Sequence, residues 1–346
     1  MRKFRWLAAP AALAALTGLT PPPPVAGEKD AAAPAEVVVT GPAGPAEPAK
    51  PEEAAAPEAE EAAPRLPPPA VSYELFSSTD SDGTHIARAA LELGLGDARD
   101  TRSVGLRVER AHYNPVGRGW ESRDRIFLRG AEKLGKWQLR ARVGTDGDSV
   151  IGGLSLNDEA KIRKEFFVER DIVETRQGLD LGLYSTFAGA AVDLPADDRN
   201  VFTALAGVQK FTGDNTRLHL RGSYIHVVEP KLGLSAQLRG RYFRSSEPRE
   251  FDYYSPRWYA EVLPVVQMRR FVGGWELLGA AGLGVQRDSA SDWRSSRYAH
   301  ARFQSPRASR WSFHGALTYT TTPSLTGSPG SGYSYGQLTL GLSKRF

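Results

Sequence analysis

The sequence predicts an all-β chain: a single antiparallel transmembrane β-barrel of about 16 strands, preceded by a disordered Pro/Ala/Glu linker. Three observations predict it. From Val71 onward, apolar and polar residues alternate with period two in segment after segment, so each extended segment has one greasy and one polar face. The chain opens on an export-like signal, and no later apolar run is long enough for a helical span. The turn signals divide the rest into sixteen segments, an even count, as single-chain bacterial barrels require.

The chain reads as three parts. Residues 1–26 read as a signal peptide: Arg2, Lys3 and Arg5 form a charged start, Trp6 to Leu19 an apolar run, and Val25-Ala26 a small-residue stop. Residues 27–69 are mostly proline, alanine and glutamate, with acids outnumbering Lys29, Lys50 and Arg65. So little apolar bulk cannot offset the entropy of ordering, which predicts a disordered periplasmic linker. Residues 70–346 form the barrel. The net charge of +4 and mean hydropathy of −0.38 suit a barrel and a soluble protein alike, and the absence of cysteine excludes disulfides and thiolate chemistry.

Each strand is placed by its own pattern. Trp137, Leu139, Ala141 and Val143 oppose Gln138, Arg140 and Arg142. Leu234, Ala236 and Leu238 oppose Ser235, Gln237 and Arg239; Trp275, Leu277, Leu283 and Val285 oppose a face with Glu276 and Gln286. Trp311, Phe313, Leu317 and Tyr319 oppose Ser312, His314, Thr318 and Thr320. The segments run 71–79, 84–96, 101–113, 123–132, 135–145, 149–157, 162–173, 178–191, 200–211, 215–228, 231–245, 253–270, 273–288, 292–304, 309–321 and 332–346. Alternation is blurred in 160–173 and 200–211. With both termini periplasmic, odd connections face outward and are expected to be long. The gaps after residues 114, 246 and 322 obey this, whereas the even gap at 193–200 is long and does not.

Period two alone fits a soluble sandwich or a lipocalin-like barrel as well. In lipid, the apolar faces turn outward and the inner wall carries Arg107, Arg129, Arg140, Arg142, Arg217, Arg221, Arg239, Arg241, Arg257 and Glu261, with Arg88, Arg125, Glu92, Glu109 and Glu276 among them. Guanidinium matches carboxylate, phosphate and sulfate in a planar fork, so such a wall either attracts anions or forms an internal ion-pair ladder. The two are compatible. Asp146/Asp148 and Asp197/Asp198 read as turn carboxylates, and no nucleotide loop or zinc spacing is present. No cofactor, metal, catalytic group or nucleic-acid partner is expected.

Four resemblances add to this reading. Leu338, Leu340, Leu342 and the terminal Phe346 resemble the carboxy-terminal insertion signal of bacterial outer-membrane barrels, although Lys344 stands at an outward position usually apolar there. The resemblance implies contact with the barrel-assembly machinery and outer-membrane lipid, hence the bacterial cell outer membrane. Glu36-Val-Val-Val-Thr-Gly41 resembles the energy-coupling box of TonB-dependent receptors, but low-complexity sequence follows it and the remaining length is too short for a plug and a barrel, so it reads as a chance β-branched cluster in the linker. Ser312 and His314 resemble the pair of outer-membrane phospholipase, a lipid hydrolase, but fall on the opposite face from its site. Finally, Phe211-Thr-Gly-Asp-Asn-Thr-Arg217, Phe251-Asp-Tyr-Tyr-Ser-Pro-Arg-Trp-Tyr259 and Glu169-Arg-Asp-Ile-Val-Glu-Thr175 resemble segments in the carboxy-terminal barrels of exopolysaccharide export porins, of the poly-N-acetylglucosamine and cellulose type. That likeness implies a passive conduit for a polysaccharide, working with periplasmic export partners. A general diffusion porin for small, preferentially anionic solutes is the alternative expectation.

Overall fold

The computed structural model describes residues 67–97, 100–306, 309–326 and 332–346. The expected signal peptide, most of the expected linker and Glu36–Gly41 lie outside the described residues.

Among the described residues sixteen strands close into one antiparallel barrel in which every strand pairs with its neighbours in sequence. They are β1 (Pro69–Asp80), β2 (His85–Leu95), β3 (Ser103–Asn114), β4 (Glu121–Leu134), β5 (Trp137–Thr145), β6 (Val150–Asp158), β7 (Arg163–Ile172), β8 (Tyr184–Pro195), β9 (Asn200–Phe211), β10 (Thr216–Glu229), β11 (Leu234–Ser245), β12 (Trp258–Val272), β13 (Trp275–Asp288), β14 (Arg294–Gln304), β15 (Trp311–Thr320) and β16 (Tyr335–Arg345). β1 closes the ring on β16, in a register that runs from Ala70 opposite Arg345 to Asp80 opposite Tyr335. Beyond it, the Phe346 amide donates to the Pro69 carbonyl at 3.0 Å. Closure leaves no free sheet edge, which is what a bilayer demands of β structure.

The wall is inside out relative to a soluble protein. Leu75, Leu91, Leu106, Leu128, Val143, Leu218, Leu238, Val266, Leu283, Leu317 and Leu340 point outward and are exposed, Leu283 at 73%. Arg88, Glu92, Arg107, Glu109, Arg125, Arg217, Arg239 and Glu261 point inward and are buried. A soluble sandwich or lipocalin-like barrel would bury the first group and expose the second. Leucine favours hydrocarbon by about 0.5 kcal/mol, while arginine on the lipid face costs about 2–4 kcal/mol at the bilayer midplane. A one-residue slip exchanges the faces, so the alternation itself fixes the register. Leu338, Leu340 and Phe346 lie on the outer surface, and the Lys344 ammonium rests 5.1 Å from the Trp311 ring and 4.8 Å from that of Phe346. The lysine therefore sits over rim aromatics instead of facing bare hydrocarbon.

Three strand expectations change. The segment expected to begin a strand at 178 instead carries a short helix, α1 (Arg176–Leu181), capped by Thr175, whose Oγ1 accepts from the Gly178 amide, and ended by Gly182 in the left-handed region (φ 64°). A Cβ at Gly178 would collide with the Val173 carbonyl, so glycine is needed there. β12 begins at Trp258 and not at 253, because Pro256 lacks the amide a ladder needs and the residues before it turn inward. β8 runs on to Pro195, which shortens that even connection to 196–199, although the even connection 96–102 is longer than several odd ones. The longest connections, 173–183, 246–257 and 321–334, are now all odd. They stand at the far end, opposite the termini.

Candidate functional site: the barrel interior

The inner wall divides into two zones. On β1 to β4 it is an ion-pair ladder. Arg107 bonds Glu74 at 2.6 Å and Glu109 at 2.7 Å; Arg125 bonds Glu109 at 3.1 Å and Asp171 of β7 at 2.6 Å. Arg129 reaches Glu92 at 2.5 Å and the Ser103 hydroxyl at 2.9 Å, and Arg88 pairs with Glu174. Each buried guanidinium has a carboxylate, which offsets the cost of removing both from water. Arg142 lies over the Phe127 ring at 5.0 Å, and Arg140 donates to the Asp100 carbonyl at 3.3 Å.

From β7 to β12 the wall becomes a ribbon of rings. Phe167 and Phe187 are 5.2 Å apart, Phe187 and His219 4.9 Å, His219 and Phe243 5.6 Å, and Phe243 and Tyr259 5.0 Å. Arginines stack on the ribbon and beside it. Arg217 lies 5.2 Å from the Phe211 ring and 4.4 Å from that of Phe243. Arg241 lies 5.8 Å from Phe243 and 5.6 Å from Tyr259, and Arg239 lies 5.0 Å from Tyr298. Arg221 and Arg241 face each other directly in register. Glu261 accepts hydrogen bonds from the Thr322 hydroxyl, at 2.7 Å, and from Ser296. His219 bonds Gln209 at 3.1 Å.

Three connections fold over the far end of this ribbon. Asp252 accepts from the Thr175 hydroxyl at 2.5 Å and the Gln177 amide at 2.9 Å, tying 246–257 to the start of α1. The Tyr254 amide donates to the Leu325 carbonyl at 2.7 Å, and its ring stands edge-on to Phe243 at 6.4 Å. Arg217 donates to the Tyr254 carbonyl at 2.5 Å. Val173, Leu183, Phe211, Tyr253 and Leu325 pack together beneath. Burial holds the Tyr253 and Tyr254 hydroxyls protonated well above their ordinary range, so both remain donors, Tyr254 to Asp288 at 2.6 Å and Tyr253 to Glu250 at 3.2 Å.

Arg107, Arg129, Arg140, Arg142, Arg217, Arg221, Arg239, Arg241 and Glu261 therefore fall on inward positions. Arg257 is corrected: it closes the 246–257 connection ahead of β12 and is exposed at the far rim, because the strand starts later than its aromatic content implied. Ser312 and His314 are inward too; the His314 ring lies flat against Gly341, where any Cβ would strike it. Asp146 and Asp197 accept backbone amides of their own turns, and no group of three metal-ligating side chains occurs among the described residues. What sequence reasoning missed is the aromatic ribbon. Its trace was the blurred alternation of 160–173, where Phe167 points inward.

No family model matches the sequence, and no curated protein does. Among solved structures, the fold is similar to a bacterial polysaccharide outer membrane secretin, with a TM-score of 0.60 at 12% identity, covering 82% of this chain and 100% of that one. This chain has the fold of an outer-membrane β-barrel. Looser likenesses are to Pseudomonas aeruginosa OprD, with a TM-score of 0.41 at 8% identity over 82% of this chain and 97% of that one, and to Pseudomonas aeruginosa OccK5 (OpdH), at 0.40 and 9% over 81% and 98%. With its apolar outer belt, the barrel belongs in the bacterial outer membrane.

Proposed function

We propose that this outer-membrane barrel is a passive conduit for a secreted polysaccharide. The observation that carries the reading is the inner ribbon from Phe167 through Phe187, His219 and Phe243 to Tyr259. Pyranose rings have apolar faces that pack on aromatic rings, and a staircase of such rings lets a chain advance by small, nearly equal steps. The neighbouring Arg217, Arg239 and Arg241 add forks for carboxylate, sulfate or phosphate substituents, which favours an anionic chain. The cap over the ribbon makes the described arrangement a closed one, and passage requires 246–257 to lift. The secretin likeness is compatible with this reading, as is the stretch around Phe211–Arg217 that prompted the same expectation from sequence. Periplasmic partners would deliver the polymer.

The test is secretion in the native host. Deletion is expected to abolish extracellular polysaccharide, and Phe243→Ala with Tyr259→Ala is expected to restore it about tenfold less well than wild type, at equal surface abundance. Normal secretion by a deletion strain, together with liposome swelling by small sugars, would favour instead a diffusion porin for small anions. The surplus of arginine on β10 and β11 suits that reading as well.

A further inference from the structure

The outer wall changes character near the far end. Arg170 on β7, Lys210 on β9, Arg244 on β11, Arg287 on β13 and Arg297 on β14 occupy lipid-facing positions, each in line with exposed apolar residues of its own strand. Register places Arg170 opposite Thr186, and Thr186 opposite Lys210, so these two cations are separated by one strand. Arg244 faces Trp258, and the Arg287 guanidinium lies 5.9 Å from that same indole. Among the described strand residues, the acid on the outer face at this end is Asp124, and it is already taken by Arg110 at 3.2 Å. Lys210, Arg244 and Arg297 have no side-chain ion-pair or hydrogen-bond partner among the described residues. The near rim differs: Arg270 donates to the Lys231 carbonyl at 2.8 Å, and Lys344 lies over two rings.

Unneutralised cations at the upper edge of an apolar belt sit where lipid headgroups begin. Long loops place this end outside the cell, so the headgroups belong to the outer leaflet. Choline or ethanolamine beside each phosphate would oppose these cations, whereas a headgroup carrying phosphate without a compensating amine matches them. We propose that the arc from β7 to β14 is a docking surface for phosphorylated glycolipid of the outer leaflet. Lys210, Arg244, Arg287 and Arg297 hold its phosphates, and its acyl chains lie along Val208, Leu218 and Leu283 below.

The experiment uses the purified full chain in detergent and native mass spectrometry with two probes, a bisphosphorylated glucosamine-disaccharide lipid and its dephosphorylated form. Wild type is expected to retain the first about tenfold more than the second. Lys210→Gln, Arg244→Gln and Arg297→Gln together are expected to bring the ratio near one, while Lys164→Gln with Arg270→Gln at the other rim leaves it intact. Heat-modifiable migration in gels checks that each barrel is folded. Should the triple variant not fold, the single Arg297→Gln is expected to lower the ratio alone. Equal retention of the two lipids by wild type, an unchanged ratio in folded variants, or displacement by millimolar inorganic phosphate (a free-anion site) would each overturn the proposal.

Discussion

Glu109 is buried between Arg107 and Arg125, at 2.7 and 3.1 Å, and so holds two strands of the ladder at once. Glu109→Gln would take one of two carboxylates from each guanidinium, leaving Arg107 with Glu74 and Arg125 with Asp171. Losing a buried hydrogen bond to a charged group costs about 1.5–3 kcal/mol, and urea unfolding of the barrel in lipid vesicles should register a loss of that order. Arg110 and Asp124 make the same chemical pair on the outer face, where they are 60% and 76% exposed. Asp124→Asn should therefore cost less than about 1 kcal/mol. Similar losses in the two variants would show that burial does not govern the ladder. The arginines of the ladder were legible from alternation, since Arg107, Arg129 and Arg142 fall on polar parity. Several partners were not: Asp171 and Glu174 reach Arg125 and Arg88 across the bore, from parts of the chain no local pattern connects.

At the level of elements, one contact set ties the cap to the start of α1, Asp252 with Thr175 and Gln177. The chain has no cysteine, so Thr175→Cys with Asp252→Cys introduces a single possible disulfide. Oxidised, this variant should lose about nine-tenths of its ion current, and reductant should restore it. Full current from a quantitatively oxidised protein would mean that 246–257 need not move. The cap was also the part least legible in sequence. Arg176–Leu181 is too short to show a helical period, and Phe251–Tyr259 is rich in strand-forming aromatics although Tyr253 and Tyr254 serve a folded-in connection. Strands were legible wherever outer and inner faces differ in polarity. In β9, Val201, Leu205 and Phe211 point inward, Val201 against Ile225, and the pattern fades for that reason.

For the whole molecule, strand number, order and sidedness followed from the sequence because lipid on one side and charge on the other leave one register per strand. Closure of β1 on β16 could be expected from the even count, and the terminal Phe346 tied to Pro69 finishes the seam. The far-end cations stand in the same alternation, but only strand register brings Arg170, Lys210, Arg244, Arg287 and Arg297 to one end. On the proposed function, the arginine-bearing face surrounds a bore that is wet once the cap lifts, and anionic matter passes through it. Planar-bilayer conductance tests this most directly, in an Asp252→Ala background that removes the tie between the cap and α1. An open channel that prefers anions is expected, with the preference falling toward unity when Arg140, Arg142, Arg239 and Arg241 are all replaced by glutamine. A folded, inserted barrel that carries no current, or a quadruple variant with undiminished anion preference, would contradict it.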